Sequence, residues 1–294
     1  DLLENLPKGK MCRIQSHLQT EMGLDYAFGT SLDVSHDGNM LAISSIYENG
    51  NVQLFHWDSK KQTYRPQKRF QGPSMERIKQ EEGKLLISKS RFGASISLAS
   101  NTSRLAVGAP SVRKVTWRKT KNPLDRIGAA YIHDFHKTKK MIPFQQTKKK
   151  MIPGNQHQPP AFAFGQAIDI SDDGTILAVT SQAGKEFLPY AVEGFVRVYL
   201  YEEENQDWNR WGSDILATTT NDTVISDGRE SISLALSGDG TTIAVGIGRG
   251  YFKQKMMNSR VRVVRYVDGD DDWKALGQEI PCDLSNDRGR ERNL

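Results

Sequence analysis

The chain has 294 residues, 37% hydrophobic and 26% charged, enough for a sizeable core in one or two domains. Forty lysines and arginines against 35 acids leave a mild net charge of +5, and no run of 18 apolar residues occurs that would cross a bilayer as a helix. Two cysteines, Cys12 and Cys282, with no Cys-x-x-Cys pair, exclude a disulfide-dense scaffold and a cysteine-based structural zinc site. They read either as two semi-buried thiols or as a bridge, if the fold brings the chain ends together. The opening DLLENLPKGK is neither a secretory leader nor a start at Met, so the chain reads as a piece of a larger protein.

In chain order, KMCRIQSHLQ (10–19) reads as a lone strand. FGTSLDVSHDGNMLAIS (28–44) then opens the first of four similar units, each an alternating strand, a tight hairpin turn and an apolar second strand; here Phe-Gly leads in and Asp-Gly makes the turn. NVQLFHW (51–57) is its third strand, and a fourth begins at Tyr64. The second unit runs from FGASISLASNTSRLAVGAP (92–110) through AAYIHDF (129–135) to a poor outer strand, MIPF (141–144). Between Arg113 and Lys150 stand twelve lysines or arginines against Asp125 and Asp134, so much of the basic balance sits in this unit. TKKMIP recurs ten residues on as TKKKMIP before a Gln/Pro-rich stretch, and 137–160 reads as a basic insertion loop. The third unit is the most regular: FGQAIDISDDGTILAVTS (164–181), FVRVYLY (195–201) and WNRWGSDI (208–215). The fourth is SISLALSGDGTTIAVGIG (231–248), RVRVVRY (260–266) and WKALGQEI (273–280).

Four antiparallel strands per unit, repeated about every 65 to 70 residues, predict an all-β fold, a β-propeller of four-stranded blades. The blades are expected at 28–72, 92–145, 164–216 and 231–280, in a single array over 1–294. Residues 1–27 would supply the last strand of a preceding blade, and the whole would be a fragment of a larger ring.

Phe-Gly at 28–29, 92–93 and 164–165, Gly-Ala-Pro at 108–110 and the Asp-Gly turns resemble FG-GAP-type repeats over about residues 10–280. Such repeats build the propeller of integrin α subunits and of related proteins in bacteria and microalgae. The hairpin also resembles WD-like repeats of periplasmic propellers. The resemblance implies a scaffold for recognition, in an extracellular or membrane-anchored ectodomain. It assigns structure to Phe28, Gly29, Asp37, Gly38, Phe92, Gly93, Phe164, Gly165, Asp173, Gly174, Asp239 and Gly240, with the three phenylalanines packed between blades. Integrin blades often carry calcium loops between the first two strands. Here SHDG, SNTS, SDDG and SGDG offer too few oxygens, so no metal is expected there. Asp268, Asp270 and Asp272 alternate as in a calcium loop, but Trp273 stands where Gly is needed, and they read as a solvated hairpin.

Long connections between the second and third strands and between units share one end of such a scaffold, where binding residues concentrate. That end is expected to carry Tyr47, Arg113, Trp117, Arg118, Lys119, Lys185, Phe187, Tyr190, Tyr251, Phe252 and Lys253. Aromatics beside cations suit a protein or glycan partner; the plainer reading is that the rings cap blade edges and the lysines solubilise. Lys137, Lys139, Lys140, Lys148, Lys149 and Lys150 form an alternative polyanion site for nucleic acid, heparin-like glycan or anionic lipid; the plainer reading is a solvated insertion. No nucleophile elbow, His-Glu-x-x-His or phosphate loop occurs, so no catalytic residue and no cofactor are expected. A glycosidase-like hydrolase is the remaining alternative. It needs two facing carboxylates, for which Glu48, Glu186 and Glu193 are candidates.

Overall fold

The computed structural model describes residues 27–72, 78–80, 83–86, 90–100, 104–115, 128–134, 140–143, 163–181, 194–217, 231–248, 251–252, 255–256 and 259–281. Blade 1 is a four-stranded antiparallel sheet in chain order: β1 (Phe28–Val34), β2 (Met40–Ser45), β3 (Asn51–Asp58) and β4 (Thr63–Gln71). β5 (Ile78–Gln80) and β6 (Gly83–Leu86) follow as a hairpin. Blade 2 contains β7 (Ser95–Leu98) and β8 (Arg104–Ala109). β9 (Arg113–Val115) leaves it to pair with β6, and β10 (Ala129–Asp134) and β11 (Lys140–Pro143) complete it. Blade 3 is β12 (Ile168–Ile170), β13 (Ile176–Ser181), β14 (Phe195–Glu202) and β15 (Asp207–Arg210), with β16 (Ile215–Leu216) also on β14. Blade 4 begins with β17 (Ser231–Leu236) and β18 (Thr242–Gly248) and carries a side hairpin of β19 (Tyr251–Phe252) and β20 (Lys255–Met256). It ends with β21 (Arg260–Val267), β22 (Asp272–Ala275) and β23 (Ile280–Pro281), the last on β21.

The fold is all-β, four antiparallel sheets arranged as propeller-like blades. The alternation Ile168-Asp169-Ile170 buries both isoleucines and leaves the aspartate partly exposed, as a strand with one covered face must. The second strands of blades 2 and 3 are covered on both faces, so β8 and β13 are buried throughout and read as continuous apolar runs. The outer strands depart from the expected single segments. In blades 3 and 4 each is split, by Gly212 (φ +72°) and Gly277 (φ +78°), into β15 and β16 and into β22 and β23. Residues 1–26, read from sequence as a strand of a preceding blade, and the 144–160 part of the basic insertion lie outside the described residues.

The core lies between blades. One layer joins blades 1 and 2 through Val52, Leu54, Phe70, Phe92, Leu105 and Tyr131. A second joins blades 2 and 3 through Ala106, Ile132, Phe164, Leu177, Phe195 and Trp208. A third joins blades 3 and 4 through Val196, Val198, Ile215, Ile243, Val245 and Trp273. Phe92 and Phe164 are fully buried, each edge-on to a tyrosine, Tyr131 at 5.3 Å and Tyr199 at 6.3 Å. Each seats its backbone on a glycine of the preceding blade. A Cβ at Gly50 would collide with the Phe92 carbonyl, and one at Gly128 with Phe164. The glycine after each phenylalanine has φ near +90° (Gly29 +87°, Gly93 +90°, Gly165 +89°), which a side chain would strain. Phe28 corrects the sequence expectation: it is 40% exposed rather than packed between blades. The seat of Phe92 and of Phe164 comes from the blade before, and no described strand precedes β1.

Candidate functional site

The two ends of the blades are built differently. At one end, the turn between the first two strands closes on itself through a serine and an aspartate. Ser171 Oγ donates to Asp173 Oδ1 (2.6 Å), the Thr175 amide and hydroxyl donate to the same carboxylate (2.9 and 2.7 Å), and the Ile176 amide donates to Ser171 Oγ. Ser35, Asp37 and Asn39 repeat this in blade 1, and Ser237, Asp239 and Thr241 in blade 4. The Ser35 hydroxyl and Asn39 hold Asp37 down to about 2. The Ser237 hydroxyl and Thr241 lower Asp239; at Asp173 burial pushes upward, but Ser171, Thr175 and the Arg104 charge outweigh it. Gly38, Gly174 and Gly240 each adopt a positive φ in these turns. Arg104, buried in blade 2, donates to the Gly174 carbonyl (2.8 Å) and lies over the Tyr201 ring at 3.9 Å, so it ties its blade to this turn of blade 3.

Near the same end, one position of the innermost strand latches each blade to the next. Asp33 Oδ2 accepts the Leu98 amide (2.6 Å), Ser97 Oγ accepts the Ile170 amide (3.3 Å), and Asp169 Oδ2 accepts the Leu236 amide (2.7 Å). Ser97 also donates to Asp169 Oδ1 (2.7 Å). Burial, added to by the Asp169 charge, raises the Asp33 pKa despite the amides of Leu98 and Val34. Sequence reading missed this series because Asp33, Ser97 and Asp169 look like ordinary solvent-facing alternation. Their shared position, four residues beyond each Phe-Gly, is the signal that finds them. In blade 4 the same position is Ala235, which has no side-chain acceptor.

The other end receives the connections from second to third strands and between blades. Tyr47 is half exposed there, in the turn where the Gly50 amide donates to the Tyr47 carbonyl. Glu48 follows at φ +54°. Arg113 falls in β9, where it pairs in register with Leu86, and Tyr251 and Phe252 form β19 opposite Met256 and Lys255. These small sheets replace the irregular loops expected from sequence. Runs as short as Arg113–Val115 carry no periodicity of their own and become strands only where a partner lies alongside. In the three-stranded sheet, Lys79 stands directly across from Lys84. Lys140, expected in the insertion, instead pairs with Ile132 in the outer strand of blade 2. Trp117, Arg118, Lys119, Lys185, Phe187, Tyr190, Lys253, Lys137, Lys139, Lys148, Lys149 and Lys150 lie outside the described residues, as do Glu186 and Glu193.

A cavity of about 230 Å³ opens instead on the outer flank between blades 3 and 4, against Asp214, Arg262, Asp272 and Trp273. Its charges are mutually engaged. Arg197 clamps Asp214 with two 2.7 Å bonds, Arg262 holds Glu279, and Asp272 accepts the Ser213 amide (2.8 Å) across the blade junction. Burial acts to raise Asp272, but the amides of Ser213 and Trp273 bring it below its ordinary value. Asp270 lies 3.5 Å from Lys274. Among the described residues no group of three or more His, Cys, Asp or Glu is gathered as a metal site, and no helix is long and apolar enough to cross a membrane.

No family model matches the chain, and no curated protein matches it. Distant likenesses to solved structures exist. A protein from Lactobacillus plantarum aligns at 11% identity and TM-score 0.44 over 85% of this chain, which spans 56% of that protein's length. The periplasmic gluconolactonase of Pseudomonas aeruginosa aligns at 13% identity and TM-score 0.40, covering 86% of this chain and 71% of its own. A putative TolB from Agrobacterium tumefaciens aligns at 11% identity and TM-score 0.39, covering 87% of this chain and 68% of its own.

Proposed function

We propose that this chain is a non-enzymatic interaction module, a propeller of FG-GAP or WD-like type, that recognises a protein or glycan partner at its long-connection end. The observation that supports this reading is the construction of that end. Two small sheets, β5-β6-β9 and β19-β20, are built there from connecting segments. The opposite end spends its aspartates on its own turns and blade latches. Segments that gain structure without joining a blade supply a rigid platform for loop-borne contacts. A second reading, a polyanion surface, is favoured by the register of Lys79 against Lys84.

A screen of glycans, peptides and heparin at two salt concentrations tests both. The primary reading expects salt-tolerant binding of a glycan or peptide, weakened about tenfold or more by Tyr47→Ala, a loss near 1.4 kcal/mol. Heparin binding that falls steeply with salt and disappears in Lys84→Glu would establish the polyanion reading instead. Silence toward every ligand, or hydrolysis of one, would overturn the proposal.

A further inference from the structure

The two outer flanks of the four-blade arc are apolar where the inner blade junctions are dry. In blade 1, Leu32 is 66% exposed and Val34 49%, whereas their equivalents in blade 2, Ile96 and Leu98, are each 6% exposed against blade 1. In blade 4, Ile280 is 59% exposed and Val261 37%; their equivalents in blade 3, Ile215 and Val196, are 6% and 0% exposed against blade 4. The exposed residues are thus the two halves of the junction that the chain already forms three times in its interior. A backbone feature matches as well. In blade 2, Gly108 and Ser95 form a notch that receives the Gly165 carbonyl, to which Ser95 Oγ donates (3.0 Å). In blade 4, Gly246 and Ser233 stand at the same register positions with the Ser233 hydroxyl again alongside, and among the described residues no backbone of another blade lies against Gly246. The equivalent carbonyl belongs to Gly29, on the opposite flank of the same chain.

We propose that blade 4 of one copy of this chain docks on blade 1 of a second copy, head to tail, and that the same contact formed twice closes a two-fold pair. Both halves of the contact lie on one polypeptide, so a second copy satisfies both at once. Two arcs of the four described blades make eight, at the upper end of the range of about four to eight in which propellers close. Docking buries Leu32 and Val34 against Val261 and Ile280, as Ile96 and Leu98 are buried against blade 1 and Ile215 and Val196 against blade 4.

Light scattering on the size-fractionated full chain tests this. The expected mass is twice the 33.1 kDa of one chain. Leu32→Glu alone and Ile280→Glu alone should each scatter as single chains, because either substitution spoils both contacts of a like pair. An equimolar mixture of the two should recover the double mass, since one contact then joins an unaltered blade 4 to an unaltered blade 1. Leu276→Glu, also exposed on the blade 4 flank, replaces Ile280→Glu if that variant does not fold. A single-chain mass for the unaltered protein, a pair that survives both substitutions, a mixture that stays single, or an open ladder of larger species would each overturn the proposal.

Discussion

Asp33 shows how one side chain can be structural and strained at once. Its carboxylate accepts the amide of Leu98 in the next blade, yet burial and the Asp169 charge raise its pKa. Replacement by alanine leaves that amide without its acceptor and is expected to cost about 1–3 kcal/mol. Asparagine keeps an acceptor oxygen and removes the charge, so Asp33→Asn should be close to neutral or stabilising. The pH dependence has a definite sign. A carboxyl with a raised folded pKa weighs against folding above that value, and the penalty vanishes once both states are protonated. The advantage of Asp33→Asn over the unaltered chain should therefore be largest at neutral pH. It should fade as pH falls through the raised value toward the ordinary carboxylate range, near 3.9. Denaturant midpoints for the three proteins at pH 7 and pH 4 would show it. An asparagine variant as weak as the alanine one would mean that the charge, and not the acceptor, carries the latch.

At the scale of the blade, the Phe-Gly pair is where sequence and packing meet. Phe92→Ala and Phe164→Ala are each expected to cost about 3–5 kcal/mol, as fully buried rings do. Phe28→Ala should cost no more than about 1.5 kcal/mol, since it removes less buried area. Urea melts that rank all three alike would refute the assignment of Phe28 to an uncovered flank. Gly128→Ala should destabilise as severely as Phe164→Ala, because its Cβ would meet Phe164 backbone at a φ of +71°. The blade strands and Asp-Gly turns were legible in the sequence because alternation and turn residues are local signals. The position of Phe28 was not, because identical residues differ in burial according to which blade precedes them. Nor were the β9 and β19 strands of the candidate face, since pairing between such short runs is decided by tertiary approach. The aromatic and basic residues of that face were legible only as a list; which of them act together is set by connections whose course no local pattern dictates.

Over the whole molecule, an array whose units touch only their neighbours distributes stability according to how many sides of each unit are covered. Blades 2 and 3 are covered on both sides, whereas blades 1 and 4 each present an apolar flank to solvent. Amide exchange should follow this order. In dilute protein, β8 and β13 should exchange slowest, through openings near the global free energy, while β1 and β22 exchange faster through local opening of an end blade. Raising the protein concentration should slow β1 and β21 to β23 selectively if the flanks cover one another in a pair, because association stabilises only the form in which both are ordered. Uniform slowing would implicate a contact elsewhere. If β1 exchanged as slowly as β8 at every concentration, the exposed flank of Leu32 and Val34 would cost blade 1 no stability, and covering it with a second copy would have no effect on the end blade.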